Sequence, residues 1–264
     1  MMTRLILASA AAALAACLPS ASRAQDDDIQ KQLANPIASL TLIPFQLNYD
    51  TNIGPARDGS RFTLNFQPVI PIKLSDQMTL VVRTIVPLIK QDDIFPGAGS
   101  QFGLGDSLQS FFFVPPTVNG FTWGVGPAIQ WKTGTNQLLS TEKWGAGPTL
   151  VALQQTGPWT VGVLTNHIWS FSGDPTRSDV SNTFIQPFIS YAASGGWTYT
   201  LNTQSTYDWI AHDWSVPVLF QVAKLTKFGK QPVSLAGGVR YWASSPTGGP
   251  HGFGGMFSIT FILP

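Results

Sequence analysis

Three histidines, His167, His212 and His251, are the side chains best suited to acid–base or metal chemistry. They lie far apart and form no H-x-x-x-H pair, so a helical zinc site is excluded. His212-Asp213 sets an acid beside an imidazole, as a protease might require, but adjacent residues in a loop more often form a solvated turn. Ser170 and Ser215 each follow a histidine by three residues. Same-face neighbours on a strand are two apart, so neither pair supplies the serine–histidine dyad of a phospholipase. No G-x-S-x-G elbow occurs. Gly103-Leu-Gly-Asp106 carries phosphate-loop glycines but lacks the Lys and the following helix. The single Cys allows neither a disulfide framework nor a thiolate cluster within the chain. None of these motifs calls for a cofactor.

The chemistry therefore has to come from elsewhere, and the composition points to where. Charged residues are 11% of the 264, against a usual ~25%. With hydrophobic residues at 44% and so little charge the main body is not disordered, and a single glutamate, Glu142, is an odd deficit for a soluble helical protein. Twenty prolines exclude a helical bundle. A net charge of +1 without a basic block gives nucleic acid no footprint.

Residues 1–24 read as an export signal. Arg4 is the basic start, Leu5 to Ala16 the apolar stretch, and Ser22-Arg23-Ala24 a small-x-small cleavage site that leaves Gln25 first. A rival lies in the same segment: Leu14-Ala15-Ala16-Cys17 has the form of a lipobox, which would lipidate Cys17. Residues 25–38 open with Asp26-Asp27-Asp28 and continue as either a short periplasmic helix or a partial plug.

Beyond residue 38 the pattern has a period of two. Phe62, Leu64, Phe66, Ile70 and Ile72 share one face, while Arg61, Thr63, Asn65, Gln67 and Lys73 share the other. Phe121–Lys132 and Trp197–Trp209 repeat this alternation, with aromatics at their ends. Twelve such strands are predicted, over 39–50, 61–73, 78–89, 102–114, 121–132, 144–155, 159–170, 182–193, 197–208, 214–225, 233–243 and 252–263. They exceed the usual ~5–6 residues and match the ~9–11 that cross a bilayer at a tilt. Short links alternate with longer polar ones, as in outer-membrane barrels.

The fold class read from this is all-β: a transmembrane antiparallel up-and-down β-barrel of about twelve strands over 39–264, in the Gram-negative outer membrane. A secreted β-sandwich or small lipid-carrying barrel shares the alternation but not the strand length. Three features disturb the pattern. The first strand changes parity near Ile43-Pro44, which predicts a bulge there; Phe184–Tyr191 is apolar on both faces; and Pro68, Pro127, Pro148, Pro187 and Pro217 fall in mid-strand, calling for further bulges.

Within such a barrel the rare charges matter most. A charge on the lipid face at mid-bilayer costs about 2–4 kcal/mol, so Arg83, Asp106, Lys132, Asp208 and Arg240 are candidates for the lumen. There they either fill a closed interior as ion pairs or line a pore and set its selectivity. The implied partners are outer-membrane lipid, the assembly machinery and a small solute. Passive uptake of small, hydrophobic or aromatic compounds is the leading function, without enzymatic activity. A structural or surface-interaction barrel and an outer-membrane hydrolase are the alternatives.

Leu33-Ala-Asn-Pro-Ile-Ala-Ser-Leu40, Pro44-Phe-Gln-Leu-Asn-Tyr-Asp50, Gly103-Leu-Gly-Asp106 and the two W-G-x-G-P segments at Trp123 and Trp144 occur in order. In this combination the chain resembles the bacterial outer-membrane family named for the MetA pathway of phenol degradation, whose members are often labelled transporter or, mistakenly, neuromedin U. The resemblance spans nearly all of residues 31–264 and implies an outer-membrane barrel with a role in uptake of aromatic or other hydrophobic compounds. It offers no catalytic residues. At the C-terminus Phe257, Ile259, Phe261 and Leu263 share a face, followed by Pro264 where assembly signals usually place an aromatic.

Overall fold

The computed structural model describes residues 28–263; the expected signal segment and Pro264 lie outside them. Fifteen strand segments form one continuous antiparallel sheet: β1 Thr41–Ile53, β2 Gly59–Phe66, β3 Val69–Ser75, β4 Met78–Asp92, β5 Ser100–Leu104, β6 Ser107–Val114, β7 Phe121–Trp131, β8 Lys143–Thr156, β9 Trp159–Gly173, β10 Ser181–Ala193, β11 Trp197–Thr203, β12 Ser205–Asp208, β13 Asp213–Phe228, β14 Gln231–Ser244 and β15 Gly252–Leu263. The pairs β2/β3, β5/β6 and β11/β12 are each one strand interrupted, so the barrel has twelve strands, and β1 pairs with β15 to close it.

Closure leaves no sheet edge, which is what a spanning sheet requires in lipid. The faces are inverted relative to a soluble domain. Phe45, Leu47, Phe62, Phe66, Ile70 and Ile72 are exposed on the outside, while Asn48, Asp50, Gln67, Gln91, Asn166 and Arg240 are buried. A sandwich or carrier in water would bury the first set, so the soluble reading fails and the outer face is a lipid face. Aromatic pairs mark both rims, with Trp159–Tyr191 rings 4.7 Å apart near the short turns and Tyr49–Phe62 4.3 Å apart near the long loops.

Most of the irregularities have a cause other than bulges. The β1–β15 register runs unbroken through Ile43 and Pro44, so the expected bulge is absent. Leu42 points inward because the interior is apolar there: it joins Ile37, Ala38, Val69, Val81, Phe112, Val151, Leu153, Leu164 and Phe188 in a core cluster. Ile37 and Ala38 belong to the chain before β1, which enters the barrel at its short-turn end. Residues 28–33 form a helical turn. Buried Gln30 anchors it, its Nε2 donating to the Trp197 carbonyl at 2.8 Å and to Thr198 Oγ1 at 3.2 Å, while Gln155 Nε2 donates to the Lys31 carbonyl at 3.0 Å. The N-terminal segment is thus a plug. It also explains the doubly apolar tenth strand, where Ile185, Ile189 and Tyr191 face lipid and Phe188 packs in the plug's core.

Proline cannot donate to a ladder, and the prolines gather where the ladder stops. Pro68 lies in the β2/β3 gap, Pro87 O accepts from Gly105 N in the β5/β6 gap at 2.9 Å, and Pro217 O accepts from Gln204 N in the β11/β12 gap at 3.2 Å. Of the mid-strand prolines, Pro217 coincides with a register shift. The W-G-x-G-P repeat sets Pro127 opposite Pro148 on neighbouring strands. A Cβ on Gly126 would sit 1.8 Å from the Phe111 carbonyl oxygen, and one on Gly147 1.8 Å from that of His167. The glycines let the flanking strands close beside each proline.

Gly126→Ala and Gly147→Ala should each destabilise the folded barrel by about 1–3 kcal/mol, the usual cost of overpacking. Gly237→Ala, where nothing lies within 4 Å of the added Cβ, should be near neutral. Urea titration of the refolded barrels followed by tryptophan emission checks the ranking.

Candidate functional site

The lumen is the candidate site. Its charges first organise into a row. Arg240, Gly254, Asp50, Arg61, Gln91 and Gln101 occupy matching positions on β14, β15, β1, β2, β4 and β5, towards the long-loop end. Arg240 Nη1 donates to Asp50 Oδ2 at 3.0 Å and Nη2 to Asn48 Oδ1 at 2.8 Å, and Trp242 Nε1 donates to Asp50 Oδ1 at 2.8 Å. The two charges reach each other across β15 because Gly254 has no side chain: a Cβ there would come within 3.0 Å of Asp50 Oδ1. Arg61 Nε donates to Gln91 Oε1 at 2.9 Å, and Gln91 Nε2 donates to Gln101 Oε1 at 3.0 Å. Two arginines thus flank a single carboxylate.

Asp106 holds a loop rather than a solute. Its Oδ1 accepts from Gly134 N at 3.1 Å and Ser140 Oγ at 2.7 Å, and its Oδ2 accepts from Thr141 N and Thr141 Oγ1 at 2.7 Å each. The loop after β7 is drawn inward over β5, where Thr135 N donates to the Leu104 carbonyl at 3.0 Å. A Cβ on Gly103 would collide with Thr135 Oγ1. The Gly-Leu-Gly-Asp motif therefore clears space for the loop and then ties it. Arg177, from the β9–β10 loop, donates to the carbonyls of Gln137 at 3.0 Å and Ser140 at 2.8 Å, joining two loops at the mouth.

Four cavities follow one another along the axis. At the mouth, one of about 330 Å³ is lined by Thr141, Arg177, Asp179, Asn182 and Asp208. Asn182 also borders the next, about 260 Å³, which holds Arg83, Asp106, Ile85, Leu108, Ile168 and Phe184. Gln67, Arg83 and Gln186 line both this cavity and a third of about 180 Å³ against Leu33–Pro36 of the plug. Asn35 is shared with the last, about 430 Å³, which opens among the short turns. The three shared residues form a neck, where Arg83 Nη2 donates to Gln67 Oε1 at 3.1 Å. Gln67 and Gln186 each precede a proline, Pro68 and Pro187.

The five charged candidates are thus not one cluster. Arg83 lies at the neck, Asp106 at the loop tie, Arg240 in the buried row. Asp208 lies at the mouth, where Oδ1 accepts from Ile210 N at 2.8 Å. Lys132 lies past the end of β7 and is exposed. The carboxamides of the neck were missed in the sequence because neutral Gln and Asn look like any polar face of a strand.

A second constellation lies outside the barrel near the loop-end rim. His167 Nδ1 and Thr183 Oγ1 are 2.7 Å apart, Ser181 Oγ is 3.5 Å from Nε2, and Trp209 Nε1 donates to Thr183 Oγ1 at 2.8 Å. Cross-strand pairing of β9 with β10 brings them together, which in-strand spacing could not show. No carboxylate or carboxamide hydrogen-bonds the imidazole among the described residues, and Trp169 covers it with rings 4.0 Å apart. These contacts satisfy polar atoms at an interfacial aromatic band.

A closed barrel with a lipid outer face, polar interior and internal plug defines an outer-membrane β-barrel. The solved structures agree. The chain is similar to an outer membrane channel from Pseudomonas putida F1, with a TM-score of 0.68 at 14% identity over 85% of this chain and 95% of that one. It is similar to the NanC porin with a TM-score of 0.50 at 9% identity, over 85% and 99% of the two chains. At these identities the likeness shows the fold, which places the chain in the Gram-negative outer membrane. No family model and no curated protein matches the sequence.

Asp106→Ala should leave the barrel folded and release the β7–β8 loop. Charge-assisted hydrogen bonds contribute about 1.5–3 kcal/mol each, so protease nicking of that loop should rise at least about tenfold. Limited proteolysis of intact proteoliposomes reads this. The β9–β10 loop has a pH term. Lys143 Nζ donates to Asp179 at 3.0 Å and Ser170 adds a second hydrogen bond, and these hold the Asp179 carboxyl below its ordinary range. A depressed folded pKa means that the tie persists above the ordinary value of ~3.9 and is lost only as pH falls through the lowered one. The loop's hydrogen-exchange protection, corrected for the intrinsic pH dependence of amide exchange, should stay constant down to about pH 4 and fall at lower pH.

Proposed function

We propose that the chain is an outer-membrane conduit for passive entry of small compounds, including those with apolar or aromatic character, and that it is not an enzyme. The observation that carries this reading is the succession of four cavities that share wall residues from the loop mouth to the short turns. A barrel serving only as scaffold has no need of it and would fill its interior with ion pairs. The walls are suited to mixed solutes, because amide side chains alternate with Ile85, Leu108, Ile168 and Phe184. No nucleotide or ion-coupling motif was found in the sequence, so the concentration gradient supplies the drive.

The N-terminal segment and the tied loop narrow this path at opposite ends, so the resting conductance should be small. Planar-bilayer recording of the full chain should show discrete steps, and removal of residues 28–38 should raise their size several-fold. A membrane-inserted barrel that conducts nothing and admits no solute in liposome swelling, with and without that segment, would contradict the proposal and favour a structural or surface-interaction role.

A further inference from the structure

Arg83 is the one charge at the neck, and its surroundings leave it short of a partner. Its hydrogen bond within the chain goes to neutral Gln67. Among the described residues no carboxylate lies within ion-pair distance of it. Asp106 borders the same cavity, but both of its oxygens are taken by the β7–β8 loop. The other arginines of the interior differ. Arg240 is paired with Asp50, and Arg61 adjoins that same carboxylate. A guanidinium has five donors in a planar fork that fits a carboxylate with two parallel bonds. Removing a cation from bulk water without a counter-charge is unfavourable, and a passing anion relieves it.

The rest of the cavity says what kind of anion. Ile85, Leu108, Ile168 and Phe184 form an apolar wall. At about 260 Å³ the space sits just below the ~300–1,000 Å³ usual for small-molecule sites.

We propose that the cavity above the neck is a binding site for a small organic monoanion with a compact apolar body, its carboxylate on Arg83 and its body against Phe184 and Ile168. The inference rests on the conduit reading for its purpose, since the site borders the neck on that path and selects what crosses. The carboxamides of Gln67 and Gln186 complete the ring around the carboxylate. A cation meets Arg83 at the same point and is repelled, so the site discriminates by sign of charge as well as by size.

The test uses the full-length folded barrel in zwitterionic detergent, with benzoate as the probe and benzyl alcohol and benzylamine as controls. Equilibrium dialysis of radiolabelled benzoate should show saturable binding at one site per barrel. Arg83→Gln should weaken it at least tenfold, and Arg83→Lys, which keeps the charge but loses the fork, should fall between the two. Benzyl alcohol and benzylamine should compete at least tenfold more weakly than benzoate. Equal binding by the wild type and both Arg83 variants, competition by benzyl alcohol at the strength of benzoate, or no saturable binding would each overturn the proposal. Benzoate flux into proteoliposomes separates this from the conduit reading: binding that depends on Arg83 without flux would refute the conduit and keep the site.

Discussion

Every backbone donor and acceptor on a lipid-facing surface must be satisfied within the protein, and the seam between β1 and β15 is where this chain meets that condition. Once the sheet is closed, the outer side chains have to be apolar and the inner ones inherit every polar and charged group. The barrel is then too wide to be filled by its own wall residues, and something else must occupy the centre. The plug supplies it at one end. Ile37 and Ala38 are almost fully buried there, and the inward side chains of eight and more wall positions are apolar to receive them. At the other end the loop after β7 is bent in over two glycines and fastened to Asp106. Between them remain the cavities.

The charges follow the same logic. A buried ion pair gives little net stability and is costly to break. Arg240 and Asp50 are therefore best read as a device for geometry, spanning three strands over Gly254 and fixing their register beside the closing seam. Arg83 is different in kind, because no carboxylate among the described residues answers it.

Much of this was legible in the sequence. All twelve predicted spans coincide with barrel strands, because the period of two depends only on which face meets lipid. What was not legible has one common cause: the pattern assumes a polar interior. Leu42 and Phe188 break it because the plug makes the interior apolar at their level. A bulge at Ile43-Pro44 would place Leu42 outside, and the unbroken register shows that none is needed. Prolines were read as causes of bulges, whereas most sit beside gaps in the ladder where no donor is required. The loop tie at Asp106 and the neck of Gln67, Arg83 and Gln186 join residues far apart in the chain, which no local pattern encodes.

If the chain is a conduit, the neck of Gln67, Arg83 and Gln186 is a water-filled point on a path open to both sides. The most direct measurement places a single cysteine at Gln186 in a Cys17→Ser background and adds a small, anionic, membrane-impermeant thiol reagent to either side of oriented proteoliposomes. The account predicts labelling from both faces, with Ile189→Cys, whose side chain meets lipid, left unlabelled from either. Labelling of Gln186→Cys from neither face, or from one face only, would contradict it.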